Sequence, residues 1–233
     1  MSSAATRLVV FDLDGTLVDS RHDIALAANL TLASLGLAPL PAETVVGFVG
    51  GGVKNLALRC LRAATAPGDD PPAPDAFVER FMPIYADHLL DRTLPYPGVL
   101  ETLATLREAG VETAVVTNKP AAPARRIVDG LALGPFAILV GGDSMPVRKP
   151  DPEPLLRALG HVGAEPLQAL YVGDMAVDVE TARAAGVRFV GVTWGIGKRH
   201  DMETAGARDF VDHMRELLGR TGVARAAQRG TPP

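Results

Sequence analysis

The chain has 233 residues, 47% of them hydrophobic, with 23 basic against 27 acidic side chains and a net charge of -4. That length buries a full core, as one large domain or as a main domain carrying a smaller one. The near balance of charge gives no electrostatic footprint for nucleic acid or an anionic membrane, so the expected partner is a small soluble molecule.

The opening "MSSAATR" has no basic segment followed by a long apolar stretch, and "LVVF" is too short for a signal or spanning helix. Cys60 is the only cysteine, which excludes an intramolecular disulfide and a cysteine-rich metal site and fits a reducing, cytoplasmic setting. "RLVVF" reads as the first strand. From about Leu17 to Thr93 the strand signal stops, and the pattern turns helical in "RHDIALAANLTLASLGL", "AETVVGFV", "VKNLALRCLRAA" and "DAFVERFMPIYADHLL", the last two separated by the turn-rich "PGDDPPAP". Downstream, "ETAVV", "AILV", "ALYVG" and "RFVGVT" recur as short apolar runs with helical patterns between them. This alternation predicts an α/β fold with a parallel sheet buried on both faces, and ligands at the carboxyl ends of its strands. Residues 1–17 and 94–218 are expected to build the sheet domain, 18–93 an inserted helical domain, and 219–233 a frayed tail.

Four stretches place polar groups just after predicted strands. In "FDLDGT", Asp12 and Asp14 leave a buried strand together, and Gly15 permits a turn that brings them side by side. Two carboxylates this close repel, and a divalent cation such as Mg2+ removes the conflict. One of them can also attack phosphorus, while its neighbour protonates the leaving oxygen and later activates water. In "AVVTNKP", Thr117 and Asn118 can hold phosphate oxygens, although the same residues before Pro120 are equally good turn chemistry. In "RKPDP", Pro150 keeps Lys149 out of a helix and Asp151 can cap the next one, so the Lys149 ammonium can face a phosphoryl group from a rigid connection. In "LYVGDMAVDVETA", Asp174 and Asp178 suit either metal ligation, with Asp178 orienting water or Lys149, or an ordinary acidic helix start.

In this order, DxDGT, a Thr, a Lys and GDxxxD, the set resembles the haloacid dehalogenase superfamily over nearly the whole chain. The resemblance implies a Rossmann-like three-layer core, an α-helical cap between the first two motifs, and Mg2+. It implies Asp12 as nucleophile and metal ligand, and Asp14 as acid/base with its backbone carbonyl on the metal. Asp174 would be the metal-binding acid, Asp178 a further acid near the metal, and Thr117, Asn118 and Lys149 the phosphate contacts. The dehalogenases lack an acid where Asp14 stands, which favours phosphate chemistry. "PYPGVLETLATLREAGVETAVVTNKP", "GGDSMPVRKPDP" and "FVGGGVKNLALR" look like the superfamily's bacterial phosphoglycolate phosphatases. Two positions depart from them: Gly50, Gly51 and Gly52 replace the common Gly-Asn-Gly, and Met175 stands where Ser is frequent.

"GFVGGGVKN" lacks the Gly-Lys-Ser/Thr ending of a nucleotide loop. It reads as a tight turn between helices, or as one aimed at the site, with Gly51, Gly52 or Lys54 meeting the substrate. Cys60 falls on an apolar helical face, the five histidines have no metal-ligand spacing, and Trp194 reads as packing. The expected activity is hydrolysis of a small phosphorylated metabolite, by a monomer or homodimer with no nucleic-acid or membrane partner. A sugar phosphomutase, a pyrophosphatase or nucleotidase, and a phospho-accepting signalling domain are the rival readings.

Overall fold

The computed structural model describes residues 5–223. Strand β1 (Leu8–Phe11) is followed by the two-residue β2 (Val18–Asp19) and four helices: α1 (Arg21–Ser34), α2 (Ala42–Val46), α3 (Val53–Ala64) and α4 (Pro74–Asp87). Strand β3 (Leu94–Pro95) returns antiparallel to β2. There follow α5 (Val99–Glu108), β4 (Glu112–Val116), α6 (Ala121–Gly130), β5 (Leu139–Val140), α7 (Glu153–Val162) and β6 (Ala169–Gly173). The chain closes with α8 (Ala176–Ala184), β7 (Arg188–Val192), α9 (Arg199–Ala205), β8 (Phe210–Val211) and α10 (Leu217–Thr221).

Strands β5, β4, β1, β6, β7 and β8 lie side by side in that order, every neighbouring pair parallel. This is the predicted α/β, Rossmann-like architecture. The run "LVVF" explains why β1 takes the centre: Leu8 and Val10 enter the apolar layer with Leu155 and Leu159 of α7, while Val9 and Phe11 enter the opposite one with Leu103 of α5 and Ile127 of α6. A strand apolar on both sides is stable only where helices cover both faces. Two strand pairings escape the sequence reading, β2 with β3 and the edge strand β8. Each of these strands is two residues long, too short to carry a period.

The four helices α1 to α4 pack on one another, and their aromatic stripe Phe77, Phe81 and Tyr85 stacks ring on ring at 5.6 and 5.2 Å between centroids. The stem of this insertion is tied twice. The β2–β3 pair joins the two connecting segments, and buried Asp23 of α1 accepts hydrogen bonds from the backbone N–H of Arg92 and Thr93 and from the Thr93 hydroxyl. At the other end of the chain, α10 corrects the expected tail: Leu217 is fully buried and Thr221 nearly so, which anchors 217–221 as a helix on the core. Residues 224–233 of that tail lie outside the described residues.

Candidate active site

The register of the sheet assembles the site. Phe11 pairs with Val115 of β4 and Val172 of β6, so Asp12 leaves the sheet level with the ends of both neighbours, where Thr117 and Asp174 follow. The Asp12 N–H extends the ladder by donating to the Val172 carbonyl at 2.9 Å. Gly15 then turns the chain at a φ of +87°, and any side chain on it would run into the Asp174 carboxylate. That close approach lets the Thr16 hydroxyl donate to Asp174 Oδ1 at 2.9 Å. From the far side, the N–H groups of Ile196 and Gly197 donate to Asp174 Oδ2 at 2.8 and 3.1 Å.

Asp12, Asp174 and Asp178 are all buried, and each offers an oxygen within 4.8 Å of the others. Three acids with so little water need cations. Lys149 supplies one: its Nζ donates to Asp178 Oδ1 at 2.7 Å and to the Tyr171 hydroxyl at 3.0 Å, and lies 3.0 Å from Asp12 Oδ1. The last contact is an ion pair without a directed hydrogen bond, so Asp12 Oδ1 is a buried oxygen with no hydrogen-bond donor aimed at it. Asp178 serves two ends at once. Its Oδ2 accepts the Met175 N–H at the start of α8, while Oδ1 receives both Lys149 and Tyr171, which commits that oxygen to holding the ammonium.

One lysine does not neutralise three acids. Burial raises the Asp12 pKa to about 6; the Lys149 charge opposes this and the Asp178 charge adds to it. Asp174 is raised to about 7, first by burial and then by the charges of Asp12 and Asp178. Burial works against the Lys149 ammonium, but Asp12 and Asp178 outweigh it and hold its pKa above the ordinary lysine value. Raised acids, an oxygen without a donor and an all-oxygen set are what a hard divalent cation relieves, so these residues fit one.

Asp14 stands apart from the acid cluster. Its carboxylate accepts Ser20 Oγ at 2.5 Å and both hydrogen bonds of Lys119 Nζ, at 2.9 and 3.0 Å. Of the other predicted contacts, Thr117 is buried at the end of β4 with its hydroxyl accepting the Lys119 N–H at 3.3 Å. The Asn118 side-chain amide nitrogen donates to the Gly50 and Lys149 carbonyls at 3.0 and 3.1 Å and so ties the glycine turn to the core, which leaves its backbone N–H as the donor for a phosphate oxygen. Gly52, at a φ of +84°, lines the cleft beneath the insertion; Gly51 does not. Lys54 is not in the cleft either. At the start of α3 it points outward, 3.4 Å from Asp75 of α4, with both side chains largely exposed.

The cleft itself runs from Asp12, Asp14 and Thr117 up to an apolar ceiling of Ile24, Val53, Leu56 and Phe81. Five residues outside the predicted set hold these groups in place: Thr16, Ser20, Tyr171, Lys119 and Tyr85. Thr16 is the threonine of DxDGT, for which the motif alone implies no partner; Ser20 is a single polar residue beyond it, and Tyr171 is part of an apolar strand. Lys119 with Tyr85 of α4 was hidden because the two meet only in space. The "TNK" triplet after β4 was the one signal available for Lys119.

A parallel α/β sheet with an acid cluster, a buried lysine and a helical insertion is an arrangement suited to phosphoryl transfer. Residues 9–192 match the model of the haloacid dehalogenase-like hydrolase family, and the chain belongs to that family. It is similar to the phosphoglycolate phosphatase of Pseudomonas putida, at 39% identity over 91% of this chain and 78% of that one. It is also similar to the phosphoglycolate phosphatase of Rhodospirillum rubrum, at 41% identity over 91% and 89%. Among solved structures, a predicted phosphoglycolate phosphatase from Haemophilus somnus superposes with a TM-score of 0.87 at 32% identity, covering 93% of this chain and 98% of that one.

Proposed function

We propose that this chain is a Mg2+-dependent phosphomonoesterase that hydrolyses 2-phosphoglycolate to glycolate and phosphate through an aspartyl-phosphate on Asp12. The observation that carries the reading is the convergence of Asp12, Asp174 and Lys149 at the carboxyl ends of β1 and β6, with Asp12 lining the cleft. A carboxylate lining the cleft beside a fixed ammonium can attack a phosphoryl group whose negative oxygens that ammonium faces. The names borne by the relatives support the substrate.

In the first half-reaction Asp12 attacks phosphorus, the ester P–O bond breaks, and Asp14 gives its proton to the departing glycolate oxygen. In the second, Asp14 takes a proton from water, the water oxygen joins the phosphoryl group, and phosphate leaves with the Asp12 carboxylate restored. Lys149, fixed by Asp178 and Tyr171, faces the negative oxygens in both halves. Thr117 meets the phosphate from the end of β4. Asp12 and Asp174, with the Asp14 carbonyl, would hold the Mg2+, which when bound supplies neutralising charge to the phosphoryl oxygens. The insertion covers the cleft and excludes water. The setting proposed is the cytoplasm, where the single Cys60 stays a free, buried thiol.

Phosphate release from 2-phosphoglycolate, sugar phosphates, nucleotides and pyrophosphate, with and without Mg2+, tests the reading. The first substrate with Mg2+ should give the highest kcat/KM, and Asp12→Asn should lower turnover by at least about 10⁴-fold with an unchanged circular dichroism spectrum. A folded, active Asp12→Asn protein would refute the nucleophile.

A further inference from the structure

2-Phosphoglycolate is charged at both ends. Once its phosphate sits at Asp12, its carboxylate lies one carbon beyond the ester oxygen and must enter the cleft. The ceiling there is apolar, built from Ile24, Val53, Leu56 and Phe81, and an anion cannot rest against it without a cation. Among the described residues lining the cleft, Lys119 is the one cationic side chain. Lys149 lies below Asp12, held by Asp178 and Tyr171, and Lys54 faces solvent beside Asp75.

The setting of Lys119 differs from that of Lys149 in one respect. Its Nζ is held by Asp14 from the core and by the Tyr85 hydroxyl, at 2.5 Å, from helix α4 of the insertion, with the Tyr85 ring 4.6 Å away. As long as this contact stands, both Asp14 oxygens accept from the ammonium and Oδ1 also accepts from Ser20, which takes three of the carboxylate's four acceptor sites and holds it toward Lys119. An anion arriving beside Lys119 competes for the same three N–H donors.

We propose that Lys119 is the specificity-determining residue of this site: its ammonium receives the carboxylate of the substrate, and in doing so releases Asp14 to act as acid and base. The inference rests on the function proposed above. It makes the anionic end of the substrate the trigger that frees Asp14, and it explains why a lysine is buried where the reaction itself needs no second one.

The test compares kcat/KM for 2-phosphoglycolate with that for 2-hydroxyethyl phosphate, the same ester with a hydroxymethyl group in place of the carboxylate, both with Mg2+. Wild-type protein should prefer 2-phosphoglycolate. In Lys119→Gln the preference ratio should fall by at least about tenfold, beyond any loss shared by the two substrates, and Lys119→Arg should recover part of it. An unchanged ratio overturns the inference and leaves the proposed function intact. Wild-type protein that hydrolyses other monoesters but ignores 2-phosphoglycolate overturns both. Should Lys119→Gln not fold, a crystal structure of Asp12→Asn with 2-phosphoglycolate gives the answer. Lys119 Nζ within hydrogen-bond reach of the carboxylate and away from Asp14 supports the inference; a carboxylate held by other groups, with Lys119 still on Asp14, overturns it.

Discussion

The acid cluster makes stability depend on pH and on metal together, with a sign that can be worked out. Asp174 is raised from 3.8 to about 7 and Asp12 from 3.8 to about 6 in the folded protein. Between pH 4 and 7 the folded chain therefore holds protons that the unfolded chain has released, and stability falls as pH rises through that window. For Asp174 alone the penalty is on the order of 4 kcal/mol, fully present above about pH 7. A divalent cation favours the ionised acids and removes it. At pH 8 and ~100-fold above its Kd, Mg2+ should stabilise by about 2.7 kcal/mol, a Tm rise of roughly 5–10 °C for a chain of this size. At pH 5 the cation must first displace these protons, which costs about 100-fold in affinity through Asp174 and about tenfold through Asp12, so the same Mg2+ should barely move the Tm. Scanning calorimetry with EDTA or Mg2+ at the two pH values measures this. Asp174→Asn serves as the control: without metal at pH 8 it should melt above wild type, and its response to Mg2+ should vanish. A Mg2+ shift as large at pH 5 as at pH 8 would refute the argument.

Lys149→Met leaves Asp12 and Asp178 buried without their cation; urea denaturation should show a loss of about 3–5 kcal/mol and the phosphatase assay no turnover. Gly15→Ala forces a side chain into the left-handed region and against Asp174, so Mg2+-dependent stabilisation measured by calorimetry should be lost along with at least about 1 kcal/mol of stability. Asp23 titrates in the opposite sense from Asp174. Burial disfavours its charge, but the donors of Thr93, Arg92 and His22 outweigh this and hold its pKa below the usual value, so its contribution is present above about pH 4 and disappears as pH falls through the lowered pKa. Asp23→Ala should cost about 2–3 kcal/mol at pH 7, and the cost should shrink as pH falls below about 4, read from urea midpoints along that range.

What could be read from the sequence divides along a physical line. Segments whose meaning is local were legible: "LVVF" must be covered on both faces, and "VKNLALRCLRAA" forms the helix Val53–Ala64 to the residue; Asp151, expected to cap the next helix, lies one residue before its N-cap Pro152 and accepts the Glu153 N–H at 2.9 Å. Polar groups leaving strand ends could be placed at one edge because parallel strands align their carboxyl ends. Partnerships between distant residues could not be read. Lys54 beside a glycine turn is an attractive anion contact in one dimension, but the turn of α3 sends it toward Asp75. The Asn118 side chain is taken by the Gly50 carbonyl from 68 residues away, a partnership no local pattern announces. Asp178 read as a choice between helix start and site residue; its two oxygens take one role each.

The two buried lysines show how the same local chemistry yields different mechanical properties. Each ammonium sits between a carboxylate and a tyrosine hydroxyl: Lys149 with Asp178 and Tyr171, Lys119 with Asp14 and Tyr85. Tyr171 is on β6 and Asp178 on α8, elements of the sheet and its helical cover, so every partner of Lys149 is fixed in the same layers and its charge stays where phosphoryl oxygens need it. Tyr85 belongs to α4, whose attachment to the sheet runs through the β2–β3 pair and the Asp23 clasp. The hold on Lys119 thus depends on where the insertion sits, and anything that lifts α4 removes the Tyr85 hydroxyl before it disturbs Asp14. A charge that must stay still and a charge that must change partners have been given the same neighbours; what separates them is whether those neighbours share one packed layer.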